Sequence, residues 1–194
     1  MPITAVDRVS ALRQRLETGR LVLRRHVRTD ARPIAELLND WEVARWLAQV
    51  PFPYTERDAV EWIHQTGRDW RDRRDYQFVV TEREGERMVG HMGVRADPRE
   101  AAGEIGYWFG RDHWGKGYGA EAARAMVSFA FEDLGLDRLW ATYLPENVRS
   151  LNVLSKAGLM PDGFRETNFA ALNRTVRCPR MALERNDYLA AAAQ

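Results

Sequence analysis

The chain has 194 residues, of which 45% are hydrophobic, and it includes seven Trp and seven Phe. This length fits one domain with a substantial core, and the composition excludes a disordered chain. The formal net charge of +1 gives no electrostatic case for nucleic acid or an anionic membrane as a partner, so we expect neither.

The single cysteine, Cys178, cannot form an internal disulfide, which suits a reducing compartment. Residues 1–19 carry charges throughout and contain no apolar run of signal-peptide length. No stretch of the sequence approaches the ~20 apolar residues of a membrane span. We therefore expect a cytoplasmic protein.

The predicted elements begin after residue 18, and we assign residues 1–18 to an N-terminal extension. Residues 20–25 alternate apolar and charged side chains, which predicts a first strand. Apolar residues at helical spacing then predict helices over 31–40, 41–47 and about 56–70.

From Tyr76 the pattern changes to that of strands. Further elements are predicted in this order: strands over 76–83, 87–96 and 103–110, a helix over about 119–134, a strand over 138–144, a helix over 148–158, and strands over 163–172 and 175–184. The long helix ends before Gly135, which is typical of a helix C-terminus. This order predicts an α+β fold around one mixed sheet, without the regular βαβ alternation of a doubly wound fold.

The stretch HWGKGYGAEA, residues 113–122, places three glycines directly before a helix-forming segment. Glycine lets the backbone approach a ligand closely, and a helix N-terminus attracts anions, so we expect a phosphate here. Residues 110–117 match a P-loop except that Gly117 replaces the Ser or Thr that holds Mg²⁺. Gly115, Gly117 and Ala120 match the dinucleotide fingerprint, but the letters RDHW separate them from the preceding strand.

A third pattern is the pyrophosphate loop of the GNAT acetyltransferases, R/Q-x-x-G-x-G/A, which maps onto Trp114–Gly119. The letters WGKGY resemble the W-G-x-G-Y of the RimJ/RimL-like branch, so Trp114 departs from the broad motif but not from the branch. Residues 147–159, NVRSLNVLSKAGL, are similar to the branch's N-x-x-S-x-x-V-L-x-K-x-G-F. The resemblance runs from about Leu21 to Leu183, and the chain is identified as a member of the GNAT superfamily.

The resemblance implies a GNAT-type mixed, mostly antiparallel sheet flanked by helices over residues 19–185, followed by a C-terminal tail at 186–194. It implies acetyl-CoA as co-substrate, no metal, and direct attack of the amine on the thioester without an acyl-enzyme. The residues implied to bind acetyl-CoA are Phe109, Gly110, Trp114, Gly115, Lys116, Gly117, Tyr118, Gly119, Asn147 and Ser150.

Several of these residues have open roles at this point. Lys116 either contacts the 3′-phosphate of CoA or points into solvent. Asn147 resembles the residue that hydrogen-bonds the pantetheine arm, and it also suits the N-cap of the following helix. We expect a main-chain N–H near Phe109 or Gly110 to meet the oxyanion of the tetrahedral intermediate.

Acetyl transfer to an alkyl amine, with a pKa of ~10, needs a base that removes a proton. Glu104 is the candidate base, because it lies on the strand before the glycine loop and shares a strand face with Gly106 and Trp108. Its alternative role is a carboxylate paired with an arginine. Ser150 is the candidate acid or hydrogen-bonding group near the CoA sulfur, and its alternative role is a polar residue in the first turn of a helix.

We expect the acceptor to be a primary amine, preferably a peptide or protein N-terminus. The RimJ/RimL-like branch includes such enzymes, and an α-amine with a pKa of ~8 is more often neutral at pH 7 than a lysine at ~10.4. Candidate acceptor-binding residues are Trp46, Phe52, Tyr54 and His91, although each also suits a structural role. The alternatives are a small-molecule amine such as an antibiotic or metabolite, a longer donor such as succinyl-CoA, or a non-catalytic CoA-binding protein. No pattern indicates an oligomeric state.

Overall fold

The computed structural model describes residues 12–97 and 99–193. Within them lie eight strands: β1 Arg15–Glu17, β2 Leu21–Arg24, β3 Asp75–Glu82, β4 Met88–Asp97, β5 Ala102–Phe109, β6 Arg138–Thr142, β7 Met160–Phe169 and β8 Arg174–Glu184. The same residues form six α-helices: α1 Ala31–Leu38, α2 Trp41–Ala44, α3 Glu56–Arg71, α4 Tyr118–Ser128, α5 Val148–Lys156 and α6 Arg185–Ala192. Among these described residues, no helix combines the length and apolar character that crossing a membrane requires.

The strands form one sheet in the order β1-β2-β3-β4-β5-β6-β8-β7. Neighbouring strands are antiparallel except β5 and β6, which run parallel. A parallel pair needs a long crossover connection, and α4 lies in it. The predicted GNAT-type fold, a mixed and mostly antiparallel sheet flanked by helices, is therefore confirmed.

Helices cover both faces of the sheet because successive strand residues point to opposite sides. In β3, Phe78 and Val79 are both fully buried, but they belong to different layers. Phe78 packs in the core that includes Met126 of α4 and the following Phe129. Val79 packs in a second core that includes Ile34 of α1. The sheet is therefore the middle of three layers.

The parallel pairing between β5 and β6 is short. Ala102–Glu104 pair with Arg138–Trp140, and among the described residues this pairing stops at Glu104. Strand β6 stays paired with β8, while β5 stays paired with β4 up to Phe109. A gap therefore opens between β5 and β6 beyond Glu104, and the candidate site lies at this gap.

The chain ends contribute more structure than the sequence indicated. Arg15–Glu17, which fall in the predicted N-terminal extension, form the edge strand β1 and pair with β2. Residues 1–11 of that extension lie outside the described residues. The predicted C-terminal tail contains most of α6. Both segments carry many charged or small residues, so periodicity gives little signal there.

The helix predicted over 119–134 is interrupted. After α4 ends, a π-type turn spans Phe129–Asp133, and the Leu134 N–H donates to the Phe129 carbonyl. Phe129, Ala130 and Phe131 are all buried. An α-helix separates successive side chains by about 100°, which would turn one of these three residues away from the core. The wider π-type turn keeps all three in the core.

Asp30, just before α1, is a buried carboxylate held by β2. Arg24 donates to its two carboxylate oxygens at 2.7 and 2.8 Å, and the Val27 N–H donates at 2.8 Å. Burial by itself would raise the pKa of Asp30, but these donors outweigh it and lower the pKa. A lowered pKa stabilises the fold above the unfolded-state value of about 3.9, and this contribution is lost as the pH falls below it.

We expect Asp30→Asn to lower the free energy of unfolding by about 2–3 kcal/mol at pH 7, because Arg24 loses its carboxylate partner in a half-buried place. Urea unfolding measures this difference, which should shrink below about pH 4. As a control, Asp72→Asn breaks an exposed pair with Arg74 and should cost less than about 1 kcal/mol. Equal losses in the two variants at pH 7 would contradict this account of Asp30.

Candidate active site

A cavity of about 800 Å³ lies at the gap between β5 and β6. Its walls come from β5, the glycine segment, the start of α4, and α5. The predicted site residues that line it are Trp46, Glu104, Phe109, Trp114, Gly115, Gly117, Tyr118, Gly119, Asn147 and Ser150. The structure therefore brings the two predicted motifs together around one space.

The glycine segment gives α4 an N-terminus suited to an anion. Gly115 and Gly117 have φ of 75° and 81°, in the left-handed region that side chains disfavour. Gly117 is the N-cap of α4 and has no side chain to cover the first N–H groups of the helix. Those N–H groups lack intrahelical acceptors, and the helix dipole favours negative charge beside them.

The conformation of this segment is held by Arg20, which is not among the predicted site residues. The Arg20 Nη1 donates to the Lys116 carbonyl at 2.9 Å, and its Nε donates to Glu121 in α4 at 2.7 Å. Its guanidinium also lies 4.9 Å from the ring centre of Tyr118. No sequence signal connects residue 20 to residue 116, because the contact exists only in the folded chain.

The backbone of β5 presents polar groups to the gap. The Gly110 N–H donates to the Val89 carbonyl on β4 at 3.0 Å. Because hydrogen bonding alternates along an antiparallel ladder, the N–H and C=O groups of Ile105, Tyr107 and Phe109 point away from β4. The Ile105 N–H belongs to the pairing of Glu104 with Trp140, so the groups that face the gap are the Ile105 carbonyl and those of Tyr107 and Phe109. The Phe109 carbonyl accepts from the Trp114 Nε1 at 2.7 Å. The remaining groups suit the amides of an extended ligand.

Two of the residues predicted to bind acetyl-CoA, Gly110 and Lys116, do not line the cavity. Gly110 packs against α1, since an added Cβ would lie 2.6 Å from the Leu37 side chain. Its N–H is bound to Val89, so of the two residues named for the oxyanion, Phe109 is left as the candidate. Lys116 contributes its carbonyl to the Arg20 contact, and its side chain is not part of the cavity wall.

Ser150 and Asn147 stand at the start of α5. The Asn147 side chain accepts from the Ser150 N–H at 3.1 Å, so its N-cap role is present. The Ser150 Oγ lies 2.8 Å from the hydroxyl of Tyr107, which is also 3.2 Å from the Ser150 carbonyl. Burial raises the pKa of Tyr107, so this phenol stays protonated and able to donate. Tyr107 was not predicted, because its role depends on β6 leaving β5.

Glu104 lies where the β5–β6 pairing ends. Burial is the main cause that raises the pKa of its carboxyl group, and the charges of Arg95 and Arg165 oppose this shift. Among the described residues, no side chain forms a hydrogen bond or ion pair with it. The alternative reading of Glu104 as the partner of an arginine therefore has no contact to support it, and the raised pKa suits a base.

A second cavity of about 290 Å³ adjoins the first and shares Glu104, Gly106 and Trp108 with it. His91 and Tyr54, two of the predicted acceptor residues, line this second cavity. Burial lowers the pKa of His91 well below its usual value, so its imidazole is neutral at pH 7. Burial also raises the pKa of Tyr54 to about 12.

Phe52 lies apart from the other predicted acceptor residues. Its side chain is exposed, contacts Trp41 with ring centres 5.2 Å apart, and lines neither cavity. The predicted acceptor-binding aromatic residues are therefore separated, with Trp46 at the first cavity and Tyr54 at the second.

Residues 20–160 match the sequence model of a family described as an acetyltransferase (GNAT) domain. The chain belongs to the GNAT acetyltransferases. This acetyltransferase is 28% identical over 176 residues to the uncharacterized N-acetyltransferase p20 of Bacillus licheniformis, an alignment that covers 89% of this chain and 97% of that protein.

Solved structures share the fold of this acetyltransferase. The ribosomal-protein-S5-alanine acetyltransferase of Vibrio fischeri superposes with a TM-score of 0.78 at 20% identity, covering 90% of this chain and 98% of that one. Mycobacterium smegmatis RimJ in complex with CoA-disulfide superposes with a TM-score of 0.75 at 18% identity, covering 89% of each chain. The predicted GNAT family is thus confirmed by the family model, and these solved structures share its fold.

We expect Gly117→Val to weaken acetyl-CoA binding about tenfold or more, measured by calorimetry. A branched side chain at φ 81° strains the N-cap and covers the first N–H groups of α4. Gly163→Val is the matched control, because Gly163 has φ 83° and lies outside the cavity. The two variants should lose similar thermal stability. Equal acetyl-CoA affinity in both would contradict the assignment of the pyrophosphate site to the N-terminus of α4 at Gly117.

Proposed function

We propose that this protein is an acetyl-CoA-dependent N-acetyltransferase that acetylates a primary amine, preferably the N-terminal α-amine of a peptide or protein. The observation that carries the proposal is the position of Glu104, which lines both of the adjoining cavities. A base at the junction of a donor cavity and an acceptor cavity is what direct transfer between two substrates requires.

The larger cavity suits acetyl-CoA. Its glycine segment and the N-terminus of α4 favour the pyrophosphate. The free backbone groups of β5 in the gap suit the amides of the pantetheine arm. The neighbouring structure of RimJ holds CoA-disulfide, which agrees with this use of the fold. The volume of about 800 Å³ lies within the ~300–1,000 Å³ typical of ligand pockets.

The transfer proceeds by one attack. The amine gives a proton to the Glu104 carboxylate, directly or through water, and its nitrogen forms a bond to the thioester carbon. The Phe109 N–H meets the oxyanion, and the tetrahedral intermediate then breaks its C–S bond. The leaving thiolate accepts a hydrogen bond from the Ser150 hydroxyl, which lies 2.8 Å from the Tyr107 hydroxyl, and it takes up the second proton that the nitrogen loses on becoming an amide. Because a thiol has a pKa of ~8.5, the thiolate is only mildly basic and a hydrogen bond is sufficient to stabilise it.

The preference for an α-amine rests on the pKa of the amine and on the similarity of this chain to solved acetyltransferase structures. An α-amine with a pKa of ~8 is neutral at pH 7 far more often than a lysine amine at ~10.4. Transfer of its proton to Glu104 is therefore less unfavourable. The structural neighbours reported above include an acetyltransferase named for ribosomal protein S5 alanine.

We expect Glu104→Gln to lower kcat by roughly 10²–10⁴ while acetyl-CoA affinity stays nearly unchanged, because general-base catalysis is lost and the donor contacts remain. Since the folded pKa of Glu104 is raised, the native rate should climb as the pH rises through that value and the carboxylate forms. The variant should lose this limb but keep the limb near pH 8 that belongs to the amine.

Glu84→Gln, in the exposed turn between β3 and β4, is the control and should keep native kinetics. A native pH profile in Glu104→Gln would assign proton removal to another group.

An acceptor comparison tests the substrate class. Peptides with a free α-amine, the same peptides with a blocked α-amine and an internal lysine, and small amines should be offered with acetyl-CoA. Product mass and thiol release should show turnover of the free α-amines, with blocked peptides at least tenfold slower. Turnover confined to aminoglycosides or polyamines would exclude the peptide preference.

A further inference from the structure

The floor of the second cavity consists of three rows of residues across β3, β4 and β5. The rows, on one face of the sheet, are Asp75–Arg95–Glu104, Gln77–Gly93–Gly106 and Val79–His91–Trp108. The first row is charged, the second has little bulk, and the third is neutral. The floor therefore changes character along the strands, starting from the candidate base.

The middle row leaves an open trough beside Glu104. An added Cβ at Gly93 would lie 2.1 Å from the Gln77 side-chain oxygen, so the Gln77 amide covers Gly93. An added Cβ at Gly106 would have no neighbouring atom within 4 Å, and this glycine is exposed. An acceptor whose amine reaches Glu104 has its free path over Gly106, toward Trp108.

The far end of this trough is apolar. Its wall residues, contributed by α1, the segment before α3, α3 itself and β5, are Leu38, Leu47, Val50, Tyr54, Trp62 and Trp108. His91 is buried and neutral there, with its ring centre 4.9 Å from Trp62 and 5.9 Å from Trp108. This end offers no charge to an acceptor.

The other charged groups of the cavity are already engaged. The Arg95 Nε lies 3.7 Å from the Asp75 carboxylate, and its Nη2 donates to Gln49 at 2.9 Å. Asp75 also accepts from the Gln77 amide. Glu104 is therefore the charged group left for the reacting amine, and a second cation on the acceptor finds no free carboxylate among the described residues of this cavity.

We propose that the second cavity takes the group next to the reacting amine, and that this group is large and apolar or aromatic. The acceptor class is the α-amine of an N-terminal Phe, Leu or Met, or a free arylalkylamine of the same chemistry. This inference rests on the proposed function. A volume of about 290 Å³ suits one such group, and burying it displaces water from apolar walls.

The test uses peptides that differ only in the first residue: Phe, Leu or Met against Ala, Ser, Asp or Lys. With acetyl-CoA saturating, kcat/KM should favour the first set by about ten- to a hundredfold, the ratio expected for burial of one large apolar side chain. Phenethylamine and putrescine are offered in parallel. Phenethylamine as fast as the Phe peptide identifies a free amine as the source, whereas a much slower rate identifies the peptide.

A narrowed cavity supplies a second test. Val50 is half-buried and lines only the second cavity, so Val50→Phe should lower kcat/KM for the Phe peptide about tenfold. The Ala peptide and the KM for acetyl-CoA should stay within about threefold. Val27→Phe is the matched control, because Val27 is exposed and lies outside both cavities. Melting temperatures of both variants verify that they fold.

The outcomes separate this inference from the proposed function. Equal kcat/KM across the peptides, or a preference for Ala, Ser, Asp or Lys, would overturn the apolar acceptor while acetyl transfer stands. Equal effects of Val50→Phe on the Phe and Ala peptides would also overturn it. Failure to acetylate any amine would overturn the proposed function, and the acceptor class with it.

Discussion

The early end of the β5–β6 pairing at Glu104 is the constraint on which the site depends. A parallel pair that continued to Phe109 would consume the backbone groups of β5 and close the gap. Because β6 stays with β8 instead, the edge of β5 beyond Glu104 is free, and the N-termini of α4 and α5 lie around the opening. Glu104, the candidate base, is the last paired residue and therefore combines a fixed backbone with access to the open space.

Strand β5 also contributes to the walls of both cavities. Its backbone groups at residues 107 and 109 point into the gap, and the Tyr107 side chain reaches Ser150 there. The side chains of Glu104 and Trp108 lie on the face toward α1 and α3, where the second cavity begins. The alternation of a single strand thus directs different groups to the two cavities, and Glu104 lies where the cavities adjoin.

Much of this arrangement could be predicted from the sequence, and the failures have physical causes. Strands β2 to β8, α3 and the glycine segment have strong local patterns, so they and the GNAT fold were predictable. The π-type turn after α4 was not, since its Phe and Ala residues also suit a regular helix. Tyr107 and Arg20 were missed because their importance depends on contacts across 43 and 96 residues of chain. Phe52 is the opposite case. It was predicted to bind the acceptor because it lies close in sequence to Trp46 and Tyr54, but in the folded chain it packs on Trp41.

The anchoring of the glycine segment by Arg20 has a thermodynamic consequence. Glu121 accepts from the Arg20 N–H and Nε and from the Thr18 hydroxyl, so the turn between β1 and β2 and the first turn of α4 are fixed to each other. The conformational entropy of ordering a glycine-rich segment is therefore lost when the protein folds and not when a ligand arrives. Binding at this N-terminus is then governed by desolvation and charge, with fast association and no slow rearrangement of the loop.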